Sequence, residues 1–131
     1  GQAGFWTLLS TGTILPVTVF GTPTDVIVPG DYDGDGKTDI ATVRGVSGSI
    51  QWHYLASSNN SVNFITFGAA ATDFPVPGDY DGDGRADAAV WRPSATANQS
   101  AFWTRSTASG TVTTFALGAN GDYPVANYNT H

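Results

Sequence analysis

Short apolar runs alternate along the chain with polar clusters. The runs are rich in β-branched and aromatic residues, and Gly, Pro, Asn and Ser separate them. Runs of this length and composition predict strands, and no apolar pattern with the 3.6-residue period of a helix reaches helical length. The pattern therefore predicts an all-β protein.

An internal repeat organises these runs. The segment Val28–Arg44 recurs as Val76–Arg92, 48 residues further on. The same step leads from Asp79 to Asn127, so a third, degraded copy begins before the chain stops. A shorter signal, an apolar residue with Gly followed by an aspartate, occurs three times: Phe20-Gly21 with Asp25, Phe67-Gly68 with Asp73, and Leu117-Gly118 with Asp122. Self-similarity at a fixed period predicts a repeat architecture.

Each repeat is predicted to contain four short strands, which we call a, b, c and d. They cover Asp25–Asp31, Asp39–Arg44, Ser49–Ala56 and Val62–Phe67 in the first full repeat, and Asp73–Asp79, Asp87–Arg92, Ser100–Ser106 and Thr111–Leu117 in the second. The chain begins with a c-d pair, Gly4–Leu9 and Leu15–Phe20, and ends with an a strand, Tyr123–Asn129. We predict one repeat domain, with a partial unit at 1–22, full units at 23–69 and 70–118, and a partial unit at 119–131.

Aspartates cluster in two nine-residue loops between the predicted a and b strands. In the first loop, Asp31–Asp39, carboxylates stand at positions 1, 3, 5 and 9, which are Asp31, Asp33, Asp35 and Asp39. Alternate side chains of a tightly curled loop converge, and calcium takes six to eight oxygen ligands at about 2.3–2.6 Å. Gly36 at position 6 allows the sharp turn. Lys37 at position 7 is expected to add its backbone carbonyl.

The second loop, Asp79–Asp87, has the same pattern. Its predicted ligands are Asp79, Asp81, Asp83, the carbonyl of Arg85, and Asp87. We therefore predict two calcium ions per chain, because magnesium prefers fewer protein ligands and keeps more waters. An EF-hand is not expected, since position 12 is Thr42 or Val90 and not a bidentate Glu. The alternative to a metal site is a solvated acidic loop, in which the carboxylates repel one another.

These residues resemble a known repeat family. The segment 29–41, PGDYDGDGKTDIA, and the upstream Phe-Gly are similar to FG-GAP/VCBS-type repeats. Such repeats are blades of integrin-α-like β-propellers. The resemblance implies four-stranded antiparallel blades, with a DxDxDGxxD calcium loop between two strands and the ligands named above. In the third copy Asn127, Asn129 and His131 occupy the first three ligand positions, so no third site is expected.

Charge is scarce and concentrated in the loops. All eleven acidic residues are aspartates and eight of them lie in the two loops, so two divalent cations would reduce the formal charge from −6 to −2. The five basic residues form no patch, and no nucleic-acid partner is expected. Cysteine is absent, and no apolar run is long enough to span a membrane.

No catalytic arrangement is expected, and the chain is not predicted to be an enzyme. It has neither Cys nor Glu, and its single lysine, Lys37, lies in a predicted metal loop. His53 is an isolated histidine of a predicted strand, where such a residue is more often packed than catalytic.

The tryptophans and two arginines are expected to have structural roles. Trp6, Trp52 and Trp103 recur at similar strand positions and are predicted in the core. The alternative is a sugar-stacking surface that also includes Trp91. The arginines that close the b strands are expected to pair with loop carboxylates or with upstream aspartates, Arg44 with Asp25 and Arg92 with Asp73.

We expect a calcium-binding extracellular structural or assembly module. Exposed sheet edges at incomplete units are templates for association. The terminal a strand of one copy is therefore expected to join the leading c-d strands of the next, giving a ring or a fibre. Two alternatives stay open: a lectin-like or adhesion module that binds a glycan or protein, and a non-catalytic appendage of a larger secreted protein.

Overall fold

The computed structural model describes residues 3–7, 11–14 and 17–125, and within them the chain forms ten strands. These are β1 Gly4–Phe5, β2 Thr18–Val19, β3 Val26–Ile27, β4 Ile40–Val46, β5 Ser49–Leu55, β6 Val62–Ala69, β7 Phe74–Pro75, β8 Ala88–Arg92, β9 Ala101–Arg105 and β10 Val112–Ala116. No helix occurs among the described residues, so the all-β prediction is confirmed. It follows that no described segment forms an apolar helix able to cross a membrane.

The strands form two four-stranded sheets and one two-stranded sheet, and every pairing is antiparallel. Strands β3 to β6 pair in chain order, as do β7 to β10, while β1 pairs with β2. The sheets are consistent with propeller-like blades whose strands follow the predicted a-b-c-d order. The last predicted a strand differs: 123–125 lie in no strand, and its other residues fall outside the described part of the chain.

The a strands are shorter than predicted because a proline interrupts each of them. In the first repeat, Val28 donates to the carbonyl of Ala41 at 2.9 Å, directly after β3. The next residue, Pro29, has no N–H to donate. Pairing resumes as an isolated bridge between Gly30 and Asp39, which is mirrored by Gly78 and Asp87 in the second repeat. These bridges close the base of each aspartate loop.

The two repeats differ in length between strands b and c. In the first, Ser47 and Gly48 form a two-residue hairpin with φ of 51° and 84°, as a type I′ turn requires. The connection in the second repeat is two residues longer, so strands c and d are offset by 50 residues where strands a and b are offset by 48. The β-strand register, and not the spacing alone, therefore identifies equivalent residues.

This register corrects the prediction that the tryptophans share one position. Trp52 pairs with Val43, whereas Trp103 pairs with Val90, which is the equivalent of Thr42. Trp103 thus corresponds to His53 in the first repeat, and the equivalent of Trp52 is Phe102.

Burial of the tryptophans agrees only in part with the predicted core. Trp52 is 1% exposed and Trp91 is 2% exposed, while Trp103 is partly buried with the Arg92 guanidinium 5.0 Å from its ring centroid. Trp6 is 79% exposed, so its placement in the core was wrong. The described part of the β1–β2 pair has two residues in each strand, which gives Trp6 little surface to pack against.

The main core lies between the two full repeats. Residues of the first repeat, including Val28, Tyr32 and Trp52, are buried against Ala86, Ala88 and Val90 of the second. Small side chains on one side allow large ones on the other to approach closely. A second cluster, Val76, Ala89 and Trp91 with Phe102, uses residues of the second repeat alone. Side chains of both full repeats therefore form the first core, as two layers, whereas the second core is a single layer of side chains from the second repeat.

One ion pair links each b strand to the turn before its sheet. Arg44 contacts Asp25 at 2.7 Å, and Arg92 contacts both oxygens of Asp73 at 2.7 and 2.8 Å. The arginines therefore pair with the upstream aspartates and not with the loop carboxylates, which decides between the two predicted partners.

Candidate metal centre

The first aspartate loop brings its four carboxylates together. One oxygen from each of Asp31, Asp33, Asp35 and Asp39 lies within 4.8 Å of the others. Strands β3 and β4 leave the sheet at one end, and the loop joins them across the Gly30–Asp39 bridge. The four predicted side-chain positions thus form one oxygen cluster.

The carboxylate of Asp31 organises the loop from within. It accepts N–H hydrogen bonds from Gly34 at 2.7 Å, Asp35 at 3.1 Å and Gly36 at 2.8 Å. Gly36 has φ of 85°, and its equivalent Gly84 has φ of 87°, as predicted for position 6. These bonds curl the backbone around the first aspartate, so that alternate side chains turn inward.

Asp39 closes the loop and is 1% exposed. One of its oxygens accepts the N–H groups of Tyr32 at 2.7 Å and Asp33 at 3.1 Å, and the other accepts the N–H of Ser57 at 2.8 Å. Burial raises the pKa of the Asp39 carboxyl, although these hydrogen bonds oppose the shift. A nearby cation would favour the ionised form of such a group.

The pKa of Asp33 shifts in the opposite direction because this side chain is less buried than that of Asp39. Burial acts to raise its pKa, but hydrogen bonds from Ser58 and Asp35 outweigh that effect and lower the pKa to about 2. The ionised carboxylate that a cation needs is therefore already favoured at this position.

The turn between strands c and d completes the site, and the sequence analysis missed it. Ser57 donates its hydroxyl to Asp35 at 2.7 Å, and the Ser58 N–H contacts Asp33 at 3.1 Å. In the second repeat Thr107 donates its N–H to Asp87 at 3.2 Å. The sequence does contain a second hydroxyl residue, Thr107, 50 positions after Ser57. The 48-residue repeat does not match these two residues, and only the strand register gives the 50-residue offset.

The second loop is more open. Oxygens of Asp79, Asp81 and Asp87 lie within 4.8 Å of one another, and Asp83 is outside that group. Asp87 is 1% exposed and burial raises its pKa, as for Asp39. A hydrogen bond with Ser106 lowers the pKa of Asp81.

The position-7 residues have backbone contacts within their own loops. The N–H of Lys37 donates to Asp35 at 2.8 Å, and the N–H of Arg85 donates to Asp83 at 2.8 Å. The predicted use of their carbonyls, and of Asp83, as ligands stays a prediction.

The donor set fits a hard divalent cation. Every clustered side-chain ligand is a carboxylate oxygen, which is the ligand type of calcium and magnesium. Within the described residues neither ion pair involves a loop carboxylate. A cation among four aspartates in nine residues would reduce their mutual repulsion.

A protein-family model matches part of this chain. The family model for the FG-GAP-like repeat matches residues 31–90, from the first aspartate of loop one to strand b of the second repeat. Neither the curated proteins nor the solved structures gave a match. The family match agrees with the sequence resemblance and with the four-stranded antiparallel sheets. Residues 31–90 of this chain are thus similar to the FG-GAP-like repeat.

Proposed function

We propose that the chain is a calcium-binding structural module in which each aspartate loop holds one Ca²⁺. The observation that supports this proposal best is the convergence of four carboxylates in the first loop to within 4.8 Å. Asp31, Asp33, Asp35 and Asp39 would hold one ion. Asp79, Asp81, Asp83 and Asp87 would hold the other, and the carbonyls of Lys37 and Arg85 would complete the two sets.

The ion would act on stability and not on chemistry. Bound calcium would supply positive charge that favours the ionised forms of buried Asp39 and Asp87, and it would fix the connection between strands a and b. The proposal assigns the chain no catalytic role. An extracellular location suits it, since weak calcium sites fill at the millimolar concentrations found outside cells.

Calcium binding can be tested by calorimetric titration and thermal unfolding. Ligand that binds only the folded state adds about 2.7 kcal/mol at a hundredfold excess over Kd, so a calcium chelator should lower Tm markedly. Asp33→Ala and Asp81→Ala should each remove one of two bound ions. Asp122→Asn is the control, because this exposed aspartate lies outside both loops. Equal Tm with calcium and with chelator would contradict the proposal.

We further propose that the module self-associates head-to-tail, through the exposed face of the second repeat. Tyr80 is 38% exposed although its equivalent Tyr32 is 1% exposed. Phe115 and Leu117, at 43% and 63%, correspond to partly buried Ile65 and Phe67. In the first repeat this face is covered by the neighbouring repeat, so a blade of a second copy is the occupant that we propose for the second repeat.

The pairing order favours face-to-face packing over the strand exchange expected from the sequence. Strand a pairs with b in both full sheets, and c pairs with b and d. A terminal a strand placed against leading c-d strands would leave the position of strand b empty. Packing one sheet face on another needs no change of pairing and still gives a ring or a fibre. Sedimentation and electron microscopy in millimolar calcium test this; a monodisperse monomer would contradict it.

The lectin-like alternative has little support from the tryptophans. Trp52 and Trp91 are buried, and Arg92 covers Trp103, which leaves Trp6 as the exposed tryptophan among the described residues. A single exposed indole is a small basis for a sugar-stacking surface.

A further inference from the structure

The two aspartate loops are in direct contact with each other. The N–H of Ala86, in the second loop, donates a hydrogen bond of 2.6 Å to the backbone carbonyl of Asp31, in the first. Asp31 is a candidate ligand of the first site, and Ala86 immediately precedes Asp87, a candidate ligand of the second. One backbone hydrogen bond therefore connects the two candidate sites.

Close packing surrounds this hydrogen bond. A Cβ placed on Gly30 would lie 2.9 Å from the Cβ of Ala86, and one placed on Gly34 would lie 3.0 Å from Cγ of Arg85. The second loop thus covers the first, which explains why Asp31 is 3% exposed while its equivalent Asp79 is exposed. Residues of the second loop therefore pack directly against the first site.

The position of Ala86 depends in turn on the second site. Its carbonyl accepts the hydroxyl of Thr107, and the following residue, Asp87, accepts N–H groups of Tyr80 at 2.9 Å and Thr107 at 3.2 Å. A cation bound by Asp87 would hold this segment in the conformation that contacts the first loop.

We propose that the two sites are thermodynamically coupled, so that a cation in either loop raises the affinity of the other through the Ala86–Asp31 contact. This inference rests on the proposed calcium binding. A cation in one loop orders the shared contact, and the second cation then has less conformational entropy to remove. Linkage requires the effect to be equal in both directions.

Electrostatics opposes this coupling. The first ion weakens the negative field that attracts the second. Each loop carries four aspartates, however, and so stays negative after it binds one divalent ion. The repulsion is smallest at physiological or higher salt, where the Debye length is about 8 Å or less, so the coupling is tested at physiological salt.

Calorimetric titration with calcium at physiological salt tests the coupling. Asp81→Ala reports the first loop alone and Asp33→Ala reports the second alone. Independent loops would give a wild-type isotherm equal to the sum of these two. We expect the wild type to saturate at about fivefold lower calcium than that sum, at the lower end of common coupling factors.

Two equivalent glycines provide a matched control for the contact. Neither Gly30 nor Gly78 has a positive φ, and a Cβ on each would meet the tyrosine ring of its own loop, at 3.4 and 3.2 Å. Only Gly30 faces a residue of another repeat, Ala86. The same comparison is made in proteins that carry Gly30→Ala or Gly78→Ala, with and without each single-loop substitution. Gly30→Ala should reduce the coupling factor to about one, and Gly78→Ala should leave it unchanged.

Hydrogen exchange at the Ala86 amide gives a second readout that does not depend on the fitted isotherms. In Asp81→Ala, where calcium can fill only the first loop, calcium should slow exchange at Ala86. Unchanged exchange, or a wild-type isotherm equal to the sum, would overturn the coupling. Absence of calcium binding in every variant is a different result, because it would overturn the proposed function itself.

Discussion

At some turns of this chain, neighbouring side chains leave room only for glycine. Gly68 follows Phe67 at the end of a d strand and has φ of 104°. A Cβ there would lie 2.9 Å from Cγ1 of Val90 and 3.1 Å from Cδ1 of Ile50, in the core between the repeats. The Phe-Gly pair that was visible as a repeated sequence signal is therefore a packing requirement as well as a turn.

Gly68→Ala should destabilise the protein by about 3 kcal/mol, because positive φ and overpacking each cost about 1–2 kcal/mol. Gly121→Ala is the matched control, since Gly121 has φ of 98° and no atom within 4 Å of an added Cβ. It should lose only the backbone part, about 1 kcal/mol. Equal losses in urea unfolding would show that the contact with Val90 is unimportant.

At the scale of elements, side chains tie each strand b to the turn that precedes its sheet. Asp73 accepts the N–H of Ala69 at 2.7 Å and the hydroxyl of Thr72 at 2.9 Å, and it also accepts both Arg92 bonds from β8. Its side chain is 0% exposed, and that of Arg92 is 39% exposed. This carboxylate therefore holds the turn, the strand and the arginine together.

Because of these Asp73 contacts, the free energy of unfolding should depend on pH in the acid range. Burial acts to raise the pKa of Asp73, but the bonds from Arg92, Ala69 and Thr72 outweigh it and lower the pKa below its usual value of 3.8. A lowered pKa in the folded state gives stability that is complete above about pH 4 and is lost as pH falls through the folded pKa.

Asp73→Asn should cost about 2–3 kcal/mol at neutral pH, because Arg92 loses a charged partner. The difference from the wild type should shrink below about pH 4, as the wild-type carboxyl takes up its proton. Urea unfolding of calcium-saturated and chelated protein at several pH values measures both effects. A difference that does not change with pH would show that Arg92 does not need the charge.

At the scale of the whole molecule, the two repeats are packed unequally. The core between them has two layers of side chains, and the outer face of the second repeat has one. The stacked rings of Phe102 and Phe115, with centroids 5.3 Å apart, lie on that single layer. A charge placed there should not disturb the core between the repeats.

Phe115→Asp should therefore abolish self-association in millimolar calcium while the protein stays folded, because a charge cannot be buried against an apolar blade without a large cost. Val46→Asp adds the same charge at 37% exposed Val46, on the b–c hairpin of the first repeat, and should associate as the wild type does. Sedimentation velocity distinguishes the two. Association of Phe115→Asp at the wild-type level would place the interface elsewhere.

The sequence predicted the local features because each has a local cause. Alternating apolar runs gave strands, and the aspartate spacing gave the cluster of Asp31, Asp33, Asp35 and Asp39 in one curled loop. Features that depend on register were missed. The two extra residues between strands b and c hid the equivalence of Trp52 with Phe102, and that of Ser57 with Thr107.

The sequence alone determined the all-β architecture, the repeat and the positions of the aspartate loops, since turn chemistry and charge spacing act over a few residues. Only the tertiary structure decided which repeat covers the other. Contacts such as Ala86 with Asp31 join residues far apart in the chain, and burial of Tyr32 but not Tyr80 depends on which face has a neighbour. No local pattern encodes that neighbour, because equivalent loops have nearly the same sequence.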